Sequence, residues 1–337
     1  MKLLKDILEP MDNPARFKWA TQNDLYKMQT SKHNQTRTKF SFHDDPFCMT
    51  LCHMDSVNPR ILIYRDKLTS DQYSQIIENL KTKDRKHIVP ISDIDTRAMR
   101  YFTSVELMRL NGWQDEYAQK LIYVGITNAE ICAHVGNSMV VPCVEHVLQP
   151  IVKNFDRRIK VATLFSGIGA PEMALKNLGV DHEIVFACEY DEDAVISYNI
   201  LHDSNIAATD IEDVKELPEE IDLLIMGPPC QDISKGGKGH GFRRVKKKNG
   251  RYATRSALMW RINDFLEDAK RNGKPLIPYI IVENVDAIIS KRYLPTLLHW
   301  KYEMENLGYM VNWRILDATR YSVPQKRKRF YCTCILR

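Results

Sequence analysis

From residue 159 to residue 335 the sequence alternates short apolar runs with stretches of helical spacing. That alternation narrows the folds open to this chain more than any other feature. The runs are Lys160 to Phe165, Glu183 to Cys188, Asp222 to Met226 and Tyr279 to Glu283. Runs this continuously apolar suit strands covered on both faces. Pro171 to Leu178, Asp193 to Leu201, Ser256 to Lys270 and Leu294 to Leu307 carry helical patterns between them. The sum predicts an α/β fold with a Rossmann-like, doubly wound, mostly parallel sheet, for which ligands bind beyond the carboxyl ends of the strands. Tyr309 to Leu316 and Arg329 to Leu336 are separated by Pro324 and a basic turn, without room for a crossover helix. They are expected to pair antiparallel at the sheet edge.

The N-terminal portion reads differently. Phe47 to His53 and Arg60 to Tyr64 flank Ser56-Val-Asn-Pro59, which predicts a hairpin, and Ser70 to Lys81 has helical spacing. A strong helix pattern restarts over Tyr101 to Leu110, opened by Thr103 with Glu106 three residues on as a capping box. With 337 residues, about two domains are expected. The boundary is placed near residue 98, giving a smaller N-terminal domain over 1–98 and a second domain over 99–337. No internal repeat is visible.

Composition excludes other classes. Hydrophobic residues make up 44% and charged residues 27%, as in soluble globular proteins. No apolar run approaches the ~18 residues of a membrane span. The first thirty residues mix charges and prolines where a signal peptide would be apolar, so a cytoplasmic protein without membrane association is expected. The eight cysteines then read as reduced thiols. The net charge of +5 permits an anionic partner without demanding one. Its distribution says more: Lys235 to Arg251 holds eight Lys or Arg and no acid, and glycines at 236, 237, 239 and 241 break any regular element. A mobile cationic loop is expected there. Leu25 to His43 is also free of acids and carries Lys27, Lys32, Arg37 and Lys39 among Ser, Thr, Asn and Gln, side chains suited to phosphates and bases.

Four strand ends carry groups that suggest chemistry. Phe165-Ser-Gly167-Ile168-Gly169 follows the first strand and opens a helix, so its backbone can approach a ligand at the helix N-terminus. Glu189 ends the second strand, where a carboxylate can accept ribose hydroxyls, and Asp210 is placed at the end of a third, short strand. Gly227-Pro228-Pro229-Cys230-Gln231 ends the fourth. Its prolines fix the backbone and aim the thiol, and the cationic segment beyond favours thiolate. Cys132, Cys143, Cys188, Cys332 and Cys334 suit buried, inert positions instead. Glu283-Asn284-Val285 ends the fifth strand against a wholly apolar run, which favours the acid form and proton donation. Gln325, Arg327 and Arg329 alternate with Lys326 and Lys328 at strand period, so one face carries an arginine pair able to hold a carboxylate or an anionic nucleotide. Cys48-x3-Cys52-His53 lacks a second ligand pair, and no metal site is expected.

These segments, in this order, closely resemble the cytosine-C5 DNA methyltransferases. The resemblance spans roughly residues 99 to 337. One departure stands out: Gly136-Asn137-Ser138-Met139, similar to a segment that closes the chain in most of the family, here precedes the Phe165 turn by 29 residues. Arg100 to Tyr117, with Thr103, Glu106 and Arg109-Leu110-Asn111-Gly112, resembles the family's penultimate motif. The order is therefore that of a circular permutation. Val140, Val141, Val144, Val147, Leu148 and Ile151 predict a helix that packs beside the first strand, joined to it through Asn154 to Ile159. By elimination, residues 1–98 become the target-recognition region.

The resemblance implies S-adenosylmethionine as cofactor. Phe165, Gly167, Ile168, Gly169, Glu189, Tyr190, Asp210, Ile211, Pro229, Leu258, Asn137 and Ser138 would form its site. It implies double-stranded DNA as substrate, held by Ser234, Lys235, Lys238, Arg243, Arg244, Lys246, Lys247, Lys248 and Arg251. A cognate restriction endonuclease and a bacterial or phage-encoded, nucleoid-associated protein also follow from it, and a monomer is expected because no apolar stripe is left unexplained. The implied mechanism has Cys230 add to C6 of a flipped cytosine, Glu283 act on N3, Arg327 orient the base, Arg329 support Glu283 or the loop, and Gln231 and Ser234 steady the loop. A tRNA cytosine-C5 methyltransferase and a catalytically silent DNA-binding relative are the competing readings. Amino-group methyltransferases place an aromatic where this chain has Cys230.

Overall fold

The computed structural model describes residues 2–11, 17–30, 40–51, 61–81, 88–95, 97–233 and 240–337. The chain divides into two compact units, one of Met1–Asn137 with Ala318–Arg327 and one of Ser138–Asp317 with Lys328–Arg337. Compactness thus divides the chain after Asn137, not near residue 98, because the helices following Thr103 pack with the N-terminal residues.

In the first unit, α1 (Gln22–Thr30) precedes the short strands β1 (Phe40–Phe42), β2 (Cys48–Met49) and β3 (Ile61–Ile63). Helix α2 (Ser70–Lys81) and strand β4 (Met99–Tyr101) follow, then α3 (Ser104–Arg109), α4 (Asp115–Tyr123) and α5 (Asn128–Asn137). The α2 bounds match the sequence expectation, and Thr103 and Glu106 close the predicted capping box at α3. Among the described residues, β2 and β3 do not pair as the expected hairpin. β3 lies between β1, parallel, and β4, antiparallel, while β2 pairs in parallel with Gln325–Lys326. The partner of β2 thus comes from near the end of the chain, which no local turn signal reveals. Ser56 to Pro59, Cys52 and His53, like Lys32, Arg37 and Lys39, lie outside the described residues.

The second unit starts with α6 (Val141–Val152), whose Pro142 stands in the first turn and whose Val141, Val144, Leu148 and Ile151 are buried as expected. Then come β5 (Ile159–Leu164), α7 (Ala170–Asn177), β6 (His182–Cys188), α8 (Glu192–His202) and β7 (Leu223–Met226). A 3-10 turn over Arg255–Trp260 leads into α9 (Arg261–Arg271), followed by β8 (Tyr279–Val285), α10 (Leu294–Asn306) and β9 (Tyr309–Asp317). Strand β10 (Gln325–Lys326) belongs to the first unit, and β11 (Lys328–Leu336) returns to the second. The sheet order is β6-β5-β7-β8-β11-β9. Strands β6, β5, β7 and β8 are parallel, and β11 runs antiparallel to both β8 and β9. The edge pair is therefore as the sequence predicted. So is the α/β class, and α6 packs on α7, the helix that follows β5.

Two expectations need correction. Residues 205–210 form no strand, so Asp210 sits in a loop, joined to the β6 end by the Thr209 N–H donating to Glu189 O at 2.7 Å. And the stretch Asn128–Val152 is long and apolar enough to pass the membrane-span criterion that the sequence was expected to miss, although 72% of its most apolar window is buried within the protein. It breaks into α5 and α6.

Candidate active site

Strand β5 has β6 on one side and β7 on the other, so chain connections diverge there and leave a crevice at the strand ends. A cavity of about 230 Å³ occupies that crevice in the second unit. Phe165 follows β5, Cys188 and Glu189 end β6, and Tyr190 continues the wall. Thr209, Asp210, Ile211 and Glu212 line it from the loop before β7, and Pro229, Arg255 and Leu258 complete it. Seven predicted cofactor residues are thus brought together: Phe165, Glu189, Tyr190, Asp210, Ile211, Pro229 and Leu258.

The Gly-rich turn shapes this cavity without lining it throughout. Phe165 has φ 56°, an uncommon conformation for a bulky residue and one that concentrates at functional sites. Gly169 caps α7 with φ 79°, and a Cβ there would lie 2.1 Å from His202 Nε2, so only glycine fits. Ile168 is packed in the core at 1% exposure and does not line the cavity, nor does Ser138, whose hydroxyl donates to Met139 O at 3.1 Å. Asn137 is the last residue of α5 in the other compact unit.

The acids are fixed by backbone donors. Glu189 accepts from Gly167 N at 2.9 Å on one oxygen, and from Tyr190 N and Asp191 N at 2.9 and 3.0 Å on the other. A carboxylate offers about four acceptor positions, so one is left for a ligand hydroxyl. Burial of Asp210 works against its charge, yet Glu212 N and Arg251 hold its carboxyl below the usual range. It stays an acceptor at the cavity wall. Burial instead pushes the Cys188 thiol up to about 12, aided by Glu189 and Asp210, so this cysteine is inert as expected. Cys132, Cys143, Cys332 and Cys334 are buried too.

Cys230 differs. It is half-buried at the end of the Pro-Pro turn after β7, and Ile233 N donates back to its carbonyl at 3.0 Å. Asn284, on neighbouring β8, donates to Pro228 O at 3.2 Å and so ties that turn to the Glu283 strand. A Cβ on Gly227 would lie 3.8 Å from Glu283 Oε2 and 2.8 Å from Met139 Cε. The Glu283 carboxylate therefore stands over the start of the cysteine turn, and a larger residue than glycine there would need the Met139 methyl to shift. Arg329 Nε lies 3.2 Å from Glu283 Oε1, with the two side chains 15% and 12% exposed. The sequence shows only the apolar wall behind Glu283. The structure adds an opposite charge that stabilises the carboxylate form, so two influences compete.

Past Cys230, Gln231 is exposed, whereas Asp232 N donates to Ser256 Oγ at 3.0 Å and Ser256 N donates to Asp232 Oδ2 at 3.1 Å. Ser234, Lys235 and Lys238 lie outside the described residues. The basic residues beyond them form no helix or strand, as expected, but three of them are held by acids. Arg244 pairs with Asp264 and Glu267, Lys246 with Asp264, and Arg251 with Asp210 and Asp213, while Arg243, Lys247 and Lys248 are exposed. Gln325 and Arg327 face the interior of the first unit. Gln325 Nε2 donates to Leu110 O and Asn111 Oδ1, both at 2.8 Å, and Arg327 donates to Leu51 O and Gly136 O at 2.8 and 3.1 Å. The alternation of buried and exposed residues over 325–328 is as predicted.

Residue-by-residue reading misses Arg255 and the tie made by Asn284. Arg255 stacks on Tyr190 at 4.8 Å and bonds its hydroxyl at 2.5 Å, and its position three residues before Leu258 is the available signal.

A parallel sheet with a Gly-rich turn, a strand-end acid and a Pro-Pro-Cys turn at its carboxyl edge defines the α/β methyltransferase class. Residues 159–337 match the family described as C-5 cytosine-specific DNA methylase, over half of the chain, and the chain belongs to that family. It is 34% identical over 178 residues to the orphan methyltransferase M.Rho11sI of Bacillus phage rho11s, covering 52% of this chain and 32% of that protein. It is 33% identical over 144 residues to the orphan methyltransferase M.SssI of Spiroplasma monobiae, covering 42% and 35%. The chain thus spans about a third of the length of these relatives. A solved S. pombe Dnmt2 methyltransferase is similar at 24% identity and a TM-score of 0.41, covering 53% of this chain and 50% of that one.

Proposed function

We propose that this protein transfers a methyl group from S-adenosylmethionine to C5 of a flipped cytosine in a specific duplex DNA sequence. The observation that carries this reading is the single strand edge bearing both the cavity and the Cys230 turn, with the Glu283 carboxylate over Gly227. The residues suit the cofactor: Phe165, Ile211, Pro229 and Leu258 offer apolar walls to an adenosine, Glu189 keeps an acceptor for a ribose hydroxyl, and Asp210 offers one to an adenine amine. When bound, S-adenosylmethionine supplies an electrophilic methyl group.

The chain's own residues prepare the base to take it. Cytosine C5 is a poor nucleophile, so the Cys230 thiolate adds to C6, forming an S–C6 bond, while Glu283 gives a proton or hydrogen bond to N3. Electron density then gathers at C5. Once C5 carries the methyl group, loss of its proton restores the ring double bond and expels the Cys230 sulfur. Arg329 orients Glu283, Arg327 is assigned to the base, and Gln231 and Ser234 to the segment that covers it. The base must leave the duplex first, at a cost of a few kcal/mol. Residues 1–98 are assigned to target recognition, and the motif order to a circular permutation, with α6 leading into β5. Bacterial or phage origin, cytoplasmic location, a monomeric state and a cognate restriction endonuclease belong to the same reading.

The test is a covalent trap with DNA carrying 5-fluorocytosine, which cannot lose the C5 proton. Wild type with S-adenosylmethionine is expected to form an adduct with duplex DNA and Cys230→Ser none. No adduct on any mixed-sequence duplex would refute this mechanism, and an adduct with tRNA alone would favour an RNA substrate.

A further inference from the structure

The segment Gly241 to Arg251 carries two sets of cations with opposite surroundings. Arg244 meets Glu267 through both guanidinium arms at 2.7 Å and Asp264 at 2.8 Å. Lys246 lies 3.0 Å from Asp264 and 5.0 Å over the Tyr252 ring. Asp264, in the first turn of α9, is 8% exposed and also accepts from the Tyr252 hydroxyl and Arg261. A buried carboxylate with this many donors is destabilised strongly by the loss of one, because charge is left uncompensated. Arg251 is paired, in a more exposed setting, with Asp210 and Asp213 at 2.7 and 2.6 Å.

The other set has no acid partner among the described residues. Ala253 N donates to Val245 O, Lys247 N to Arg251 O and Gly250 N to Lys247 O, so residues 245–253 close into a small hairpin. Lys247 and Lys248 lie at its tip, Arg243 at its base, and all three are exposed. Among the described residues no acid pairs with them. A phosphate can approach these three without displacing an existing partner. Arg244, Lys246 and Arg251 would each forfeit an ion pair.

We infer that Arg243, Lys247 and Lys248 form a face for the phosphate backbone of duplex DNA. Arg244, Lys246 and Arg251 hold that face in place and do not touch phosphate. The inference rests on the DNA-methyltransferase reading and divides a basic run that the sequence presents as uniform.

The experiment is the salt dependence of binding of a mixed-sequence duplex to the full chain. Replacing Arg243, Lys247 and Lys248 together by Gln is expected to flatten the slope by up to ~0.9 for each phosphate no longer neutralised, ~2.7 for three. Lys246→Gln and Arg244→Gln should leave the slope within ~0.3 of wild type, well below the effect of a single phosphate, while lowering the melting temperature. Glu267→Gln alters no cation and is expected to lower the melting temperature at unchanged slope, which keeps the test open if Arg244→Gln does not fold. Equal flattening by the inner and outer substitutions, with normal wild-type binding, overturns the inference alone. Absence of salt-dependent binding by wild type overturns the DNA reading beneath it.

Discussion

Two arginine–glutamate pairs, one in each compact unit, use the same chemistry to different ends. Arg100 and Glu106 meet at 2.7 Å with neither side chain exposed. Glu106 also accepts from Glu9 N and Thr103 N, and Arg100 donates to the Tyr64 hydroxyl and lies 4.4 Å over the Phe17 ring. Every direction around that pair is filled. Arg329 and Glu283 meet at 3.2 Å and keep 15% and 12% exposure at a strand end. A closed ionic network holds structure, whereas one with an open side can still meet a substrate. The difference lies in what surrounds the charges, not in the charges.

The largest effect that separates the two is expected at Glu283. Glu283→Gln should slow methyl transfer by ~10²- to 10⁴-fold, the usual range for a general acid, while cofactor binding measured by calorimetry changes little. Equal losses in rate and affinity would make Glu283 a packing residue like Glu106. The reverse holds for Glu106→Gln: about 3 to 5 kcal/mol of stability lost in denaturant unfolding, because the Arg100 charge is left buried without its partner. A loss under about 1 kcal/mol would show that the network is no closed unit.

Asp264 lies between these extremes, and acid sharpens the comparison. Burial opposes its ionisation, but Arg244, Lys246 and Tyr252 hold its carboxyl below the usual aspartate range. A lowered folded-state value adds stability that is present above the unfolded aspartate range near pH ~4 and disappears as pH falls through the folded value. Unfolding of wild type between pH ~6 and ~2 should therefore show a loss that is smaller in Asp264→Asn. Identical acid profiles would remove Asp264 from the network. The smallest effect is expected at Arg251, whose side chain is 42% exposed in its pairs with Asp210 and Asp213. Exposed pairs contribute about 0.2 to 1 kcal/mol, so Arg251→Ala should raise the Kd for cofactor by at most about fivefold.

Much of the second unit is legible in the sequence because its signals are local. The runs ending at Phe165, Cys188, Met226 and Glu283 become parallel strands, and seven residues that the family resemblance implied line one cavity. Asp210 is expected at the cavity and is found there, but on a loop and not on a strand, held by the Thr209 bond to Glu189 O and by its own bonds from Glu212 N and Arg251. The first unit resists reading for the opposite reason. Its strands are two or three residues long, too short for a periodic pattern, and β2 finds its partner at Gln325–Lys326. The basic run reads as a free loop because Asp264 and Glu267, which hold it, lie on a later helix.

By itself, the sequence determined the α/β alternation, the edge pair, and the acids and thiol at the strand ends, because strand and helix periods and strand-end residues are recorded within a few neighbouring positions. Only the tertiary structure decided which cations are paired with acids, what stands over Gly227, and where β2 and Arg327 find their partners. Those outcomes depend on groups far apart in the chain meeting in space, where burial and competing charges, not neighbouring residues, set each side chain's role.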